Sequence, residues 1–189
     1  HLRGDGADMS ATRQAFEGLA NDLVYSLSEE TYKKAMLALK ARGQTAIDVI
    51  VRNLFERTAD IGFLATDPAL RNAIAQGAEV RQRLRAYASK YSVYDDVILL
   101  GMDGTVLARL DERVAATAAD DELMQAVLRS GAPFVESFGR FELLDGRRGL
   151  LYGAPVRESD AGRVIGALCL SFCLDDEMRA IFAALASRD

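Results

Sequence analysis

The hydrophobic period of this chain changes once, near Tyr94, and that change constrains the fold more than any other feature. Before it, apolar residues recur at helical spacing; after it, they come in short runs separated by turn residues. In residues 11–27, Phe16, Leu19, Leu23, Val24 and Leu27 form one amphipathic stripe. Ser26 and Glu29 have capping-box spacing, which predicts a second helical run from there to about Ala65. Its stripe includes Leu39, Ala46, Ile47, Ile50, Val51, Leu54 and Ile61, and Gly43 is a point of interruption. Unbroken, the run measures roughly 55 Å at 1.5 Å per residue, a length that suits covering a sheet as well as pairing with another subunit. Asp67 followed by Pro68 predicts an N-cap and first helical residue, so a short helix begins there and ends near Gly77; another spans about 79–90.

Beyond Tyr94 the pattern is strand-like. Val97-Ile98-Leu99-Leu100 is a continuous apolar run, Asp103-Gly104 a hairpin turn, and residues 106–110 the returning strand. Asp120 or Asp121 caps a helix carrying Leu123, Met124, Val127 and Leu128 that stops at Gly131. Strands at 134–143, 148–156 and 164–174 follow, with turns at Asp145-Gly146 and Asp160 to Gly162, and Asp175 caps a closing helix. The first and last strands are apolar on both faces, whereas the second carries Arg109 and the third Glu136, Ser137 and Arg140. Continuous apolar runs belong inside a sheet and mixed ones at its edges. The predicted fold is therefore α+β: a five-stranded antiparallel PAS-like sheet ordered 2-1-5-4-3, with a long N-terminal helix or helical hairpin. Residues 1–8 read as a tag remnant or disordered leader, 9–66 as the N-terminal helical segment, 67–175 as the sheet domain, and 176–189 as a C-terminal helix leading towards an output domain.

Composition narrows the chemistry. Hydrophobic residues make up 50% and charged residues 27%, a globular balance for one core. A net charge of -5 argues against nucleic acid, despite Arg81, Arg83 and Arg85 on one predicted helix. The single histidine is His1, so catalytic triads and zinc or haem sites lack their imidazoles. Cys169 and Cys173, four apart on one strand, lie roughly 13 Å from each other. A disulfide requires Cα atoms within about 7 Å, so they read as small buried hydrophobes. The carboxylate pairs Asp95-Asp96, Asp120-Asp121 and Asp175-Asp176 point to opposite faces of a strand or cap helices, which disfavours acid–base catalysis. No metal, cofactor or enzymatic activity is expected. No stretch reaches the roughly 20 apolar residues of a membrane helix, so any membrane contact runs through segments outside this sequence.

Several segments, taken in order, resemble extracytoplasmic Cache sensor domains of bacterial receptors. They are the helix with Asp67-Pro68-Ala69-Leu70, the stretch Val97 to Leu107 with its Gly101-Met102-Asp103-Gly104 turn, Tyr152-Gly153-Ala154-Pro155-Val156, and Gly162 to Leu168. The resemblance spans about residues 29–175. It implies a sensor for a small molecule, held between the sheet and the segment joining the second and third strands, in a chemoreceptor, histidine kinase or diguanylate cyclase. It also implies a periplasmic or extracytoplasmic setting; a natural start at Met9 would instead make the protein cytoplasmic. The tyrosine, arginine and tryptophan pattern of the amino-acid-binding subgroup is not matched, and the chain has no tryptophan.

On the last strand, Val164, Gly166, Leu168, Leu170 and Phe172 share one face, while Ile165, Ala167, Cys169, Ser171 and Cys173 share the other. The large face suits packing on the long helix and the small face leaves room for a ligand. The reverse stands beside it, because small residues also admit a close helix. The candidate ligand-binding residues are Tyr91, Tyr94, Arg109, Phe138, Arg140, Tyr152, Cys169 and Ser171. Arginine grips a carboxylate through two parallel hydrogen bonds, which points to a small carboxylate as the ligand. A homodimer through the N-terminal helix is the expected partner state. The alternative function is a dimerisation or interaction module whose cavity is filled by its own side chains.

Overall fold

A computed structural model describes residues 4–77, 79–90 and 93–187. The chain divides into two compact units, His1–Asp48 and Val49–Asp189. One helix, α1 (Gly4–Leu64), makes up the described part of the first and continues into the second. It passes Ser26, Glu29 and Gly43 without a break, so the single-helix form of the prediction is observed and the hairpin form is not. The residues after the supposed cap favour continuation: Glu29–Lys33 and Glu30–Lys34 form i,i+4 ion pairs at 2.6 and 2.8 Å, with glutamate on the N-terminal side. In the first unit the stripe of Phe16, Leu19, Leu23, Leu27, Met36 and Leu39 is exposed.

The second unit is built on a five-stranded antiparallel sheet. After α1 come α2 (Pro68–Gln76), α3 (Arg81–Ala88), β1 (Tyr94–Gly101), β2 (Val106–Arg109), α4 (Asp121–Arg129), β3 (Val135–Arg140), β4 (Arg148–Arg157), β5 (Val164–Phe172) and α5 (Leu174–Ala186). The strand order is β2-β1-β5-β4-β3, with the apolar β1 and β5 inside and the mixed β2 and β3 at the edges. The predicted caps explain the helix starts. Asp67 Oδ1 accepts from Ala69 N–H and Asp120 Oδ1 from Leu123 N–H, at 2.8 Å each. Gly77 closes α2 in the left-handed region, with φ 66°.

Several boundaries differ from the sequence reading, the last strand ending at Phe172 rather than Leu174 among them. The third strand stops at Arg140 rather than Leu143, because Glu142–Leu144 turn into a short 3-10 helix that buries Leu143 and Leu144. Asp145 and Gly146 follow with φ 54° and 73°, which reverses the chain into β4. The closing helix is capped at Cys173, whose N–H donates to Val93 O at 2.9 Å, rather than at Asp175. Asp175, Asp176 and Glu177 sit in its first turn, where the helix dipole favours negative charge.

The large face of the sheet carries Val97, Leu99, Tyr152, Leu168, Leu170 and Phe172, buried against Ile61 and Leu64 of α1, Leu70 of α2 and Leu84 of α3. The small face carries Ile98, Leu100, Leu151, Ala167 and Cys169, buried against Leu123, Met124 and Val127 of α4 and the Phe141–Leu144 turn. Its small residues admit close approach instead of leaving a hollow. A Cβ at Gly153 would lie 2.5 Å from Val127 Cγ2, and one at Gly149 would lie 2.8 Å from Leu144 Cδ1.

Candidate functional site

With both faces of the sheet packed, the polar groups that matter lie inside the layers and in clefts at their margins. Under α1 a charged cluster crosses the apolar interface. Tyr94 Oη donates to Asp60 Oδ2 at 2.6 Å, and Arg57 Nη1 lies 3.3 Å from the same oxygen. The Arg57 guanidinium also stacks 5.4 Å from the Tyr94 ring centre and donates from Nε to Asn53 O at 3.2 Å. Burial, reinforced by the hydrogen bond and charge of Asp60, raises the Tyr94 pKa far above its ordinary value; the Arg57 charge offsets this only in part. The phenol therefore stays protonated as a donor and ties β1 to α1. Neighbouring Tyr152 is fully buried on the same face, and its hydroxyl has no hydrogen-bond partner among the described residues. Burial first, and the Glu136 carboxylate across the β3–β4 pair second, raise its pKa as well.

A second charged pair spans the edge of the sheet. Asp96 on β1 and Arg109 on β2 are 2% and 9% exposed, and Arg109 donates to Asp96 Oδ2 through both Nε and Nη2. Asp96 Oδ1 accepts from the backbone N–H groups of Val97, Leu110 and Asp111. The remaining Arg109 donors reach Ala116 O at 2.9 Å and Leu143 O at 3.2 Å. Ala115 and Ala116 in turn donate to the Asp145 carboxylate at 3.1 and 3.0 Å. The segment between β2 and α4 is thus held against the sheet by the chain's own groups.

The residues singled out from sequence do not meet in one cavity. Tyr91 lies outside the described residues. Tyr94 and Tyr152 sit on the large face, Cys169 and Ser171 are buried on the opposite side, and Arg109 is engaged by Asp96. Phe138 is 55% exposed beneath the Arg148 guanidinium, 5.1 Å from its ring centre, and Arg140 donates to Gly146 O at 3.1 Å. Phe138 lines a cleft, an opening of about 280 Å³ bordered by Asp95, Arg148, Cys173 and Arg179. A larger cleft of about 400 Å³ lies where α1, α2 and the β4–β5 turn meet, and its charged residues are Arg71, Arg157 and Asp160. Sequence reasoning missed Arg57, Asp60, Arg71 and Arg157. For Arg57 a signal was present: it stands in the apolar series Ile50, Leu54, Arg57, Ile61, Leu64, at a position where a solvated arginine does not belong.

Among the described residues, no three His, Cys, Asp or Glu side chains gather as metal ligands. Both thiols are neutral. Burial pushes the Cys169 pKa up to about 12 from 9.0. Burial together with the hydrogen bond from Sγ to Asp95 Oδ1 does the same to Cys173, also to about 12. Because both folded-state values lie above the unfolded one, the thiols stabilise the fold fully below about pH 9, and that contribution fades as pH rises towards 12. At about pH 8 a thiol reagent should label the folded chain far more slowly than the urea-unfolded chain. Equal rates would show that these environments are wrong.

No family model matches this chain, and no curated protein matches it. Solved structures do. The sensor domain of the V. cholerae histidine kinase DctB superposes with a TM-score of 0.63 at 14% identity, over 80% of this chain and 60% of that one. The sensory domain of the Campylobacter jejuni chemoreceptor Tlp3 gives 0.54 at 18% identity, over 82% and 65%. The ligand-binding domain of the same chemoreceptor in complex with L-valine gives 0.52 at 20%, over 82% and 64%. This chain thus spans less than two thirds of the length of each of these sensor domains. Among the described residues no helix is long and apolar enough to cross a membrane. With these structures the chain shares the PAS-like fold of Cache-type extracytoplasmic sensor domains.

Proposed function

We propose that this chain is the ligand-binding sensor portion of a bacterial signalling receptor, outside the cytoplasmic membrane, and that it performs no catalysis. The observation that carries this reading is the Arg57–Asp60–Tyr94 cluster, which bonds β1 to α1, the same unbroken helix whose earlier turns expose an apolar stripe. A helix pinned to a sheet at one place and left apolar at another suits the output of a sensor that works as a homodimer through α1. The receptor is a chemoreceptor, histidine kinase or diguanylate cyclase, and a small carboxylate is the ligand class. A ligand acts by binding one of two pre-existing arrangements more tightly than the other. The chain's own hydrogen bonds already order the β2–α4 segment, so the bistable element is α1 against β1 and not that segment.

One observation favours a second reading. The small face of the sheet is closed by Val127 on Gly153 and Leu144 on Gly149, as expected of an interaction module with a filled interior. Thermal unfolding in the presence of carboxylates, amines and sugars separates the two, with sedimentation equilibrium on the same samples. For a sensor, at least one compound raises the unfolding midpoint; a ligand at 100 times its Kd adds about 2.7 kcal/mol. Dimerisation is expected in either case. If no compound stabilises the chain at large excess, the sensor reading fails and the interaction module stands; a chain monomeric at all concentrations removes the dimer from both.

A further inference from the structure

We infer that the cleft between α2 and the β4–β5 turn is an anion site for a short carboxylate, with Arg71 as its grip and Asp160 as a built-in competitor. The Arg71 side chain is 19% exposed and donates from Nη2 to Asp160 Oδ1 at 2.7 Å, whereas Asp160 is 90% exposed. A shielded guanidinium thus relies on a carboxylate standing in water, which is a poorly matched pair. Arg71 Nε is shielded from solvent and reaches no acceptor among the described residues. In native proteins nearly every buried polar atom is partnered, so an orphaned N–H beside a cleft calls for an acceptor.

The chemistry of that acceptor follows from the geometry. Nε and Nη2 are the two prongs of the side-on guanidinium fork, which matches the two oxygens of a carboxylate. Asp160 holds one prong from outside, and a ligand taking both displaces it. Arg157 lines the same cleft and donates from Nη1 to Gly162 O at 3.1 Å, so the lining holds two guanidiniums against one carboxylate. Ala65, Ala132, Pro133 and Pro155 are among the other lining residues, against which a short apolar body can lie. A volume of about 400 Å³ is enough to admit a small metabolite. The inference takes its carboxylate class from the sensor reading above. The orphaned Nε and the positive lining argue for an anion on their own.

The test is a titration of the full chain, labelled with ¹⁵N in arginine, with sodium acetate, pyruvate and succinate, against sodium chloride at matched ionic strength. The Nε–H resonance of Arg71, identified by its loss in Arg71→Gln, should shift saturably with a carboxylate and not with chloride. Arg71→Gln should weaken binding roughly tenfold or more, the effect of losing a charge-assisted hydrogen bond. Asp160→Asn, which changes an exposed side chain, should tighten it several-fold by freeing the second prong. If Arg71→Gln fails to fold, the sign of the Asp160→Asn effect decides: unchanged or weaker binding overturns the inference. An equal response to chloride means an adventitious ion only and also overturns it. Carboxylate binding that Arg71→Gln leaves intact places the ligand elsewhere, which removes this site but spares the sensor reading. No binding of these carboxylates by wild type removes this site, and the sensor reading falls with it only if the thermal screen of carboxylates, amines and sugars also finds no stabilising compound.

Discussion

Asp96→Asn should lower the stability of the fold by about 3–5 kcal/mol, the range found when one member of a buried ion pair is removed. The replacement nearly preserves shape, so the loss is electrostatic: the Arg109 guanidinium stays buried with only Ala116 O and Leu143 O as acceptors. Asp96 also accepts three backbone N–H groups through Oδ1, and a neutral amide oxygen is a weaker acceptor for all of them. Urea unfolding of Asp96→Asn, Arg109→Met and the double variant measures the coupling. The double variant should recover part of the loss, because a buried pair replaced by apolar groups leaves no orphaned charge. A change below about 1 kcal/mol in Asp96→Asn would mean that the pair is solvated and that Arg109 is available to a ligand after all. Hydrogen exchange adds a local signature: in Asp96→Asn the backbone near Ala115 and Ala116 should lose protection first, since the Arg109 that holds Ala116 O is no longer anchored by Asp96.

Gly153→Ala is expected to cost about 1–3 kcal/mol through overpacking. The new Cβ would meet Val127 Cγ2 at 2.5 Å, and a valine within a helix has a single strongly preferred χ1 rotamer with which to avoid it. The Val127→Ala background removes the obstacle, so Gly153→Ala should be much less damaging there, and the difference is the coupling between α4 and the sheet. The outcome bears on function. Should Gly153→Ala shift stability by less than about 0.5 kcal/mol, the small face has room to spare, and a hollow beneath α4 becomes tenable again.

The strand order was readable because burial writes itself into local composition: β1 and β5 are apolar on both faces, while β3 alternates half-buried and exposed residues. Helix starts were equally legible at Asp67 and Asp120, whose carboxylates act within three residues. The candidate site was far less so. Arg109 was expected to face a ligand, and it finds Asp96, thirteen residues away, across a strand pair whose register has a bulge between Leu99 and Leu100. Tyr94 and Tyr152 lie on the sheet, but the Asp60 carboxylate that accepts the Tyr94 hydrogen bond lies thirty-four residues earlier, on α1.

What the amino-acid sequence alone determined here is the set of elements, their polarity and the PAS-like order of the strands, since each depends on residues a few positions apart. Only the tertiary structure decided that the small face is a packing surface and that Tyr94, Arg109 and Arg140 are already engaged by other groups of the chain. Gly153 opposite Val127, Asp96 beside Arg109 and Arg71 against Asp160 are meetings set by distant register and helix placement, which no local periodicity encodes.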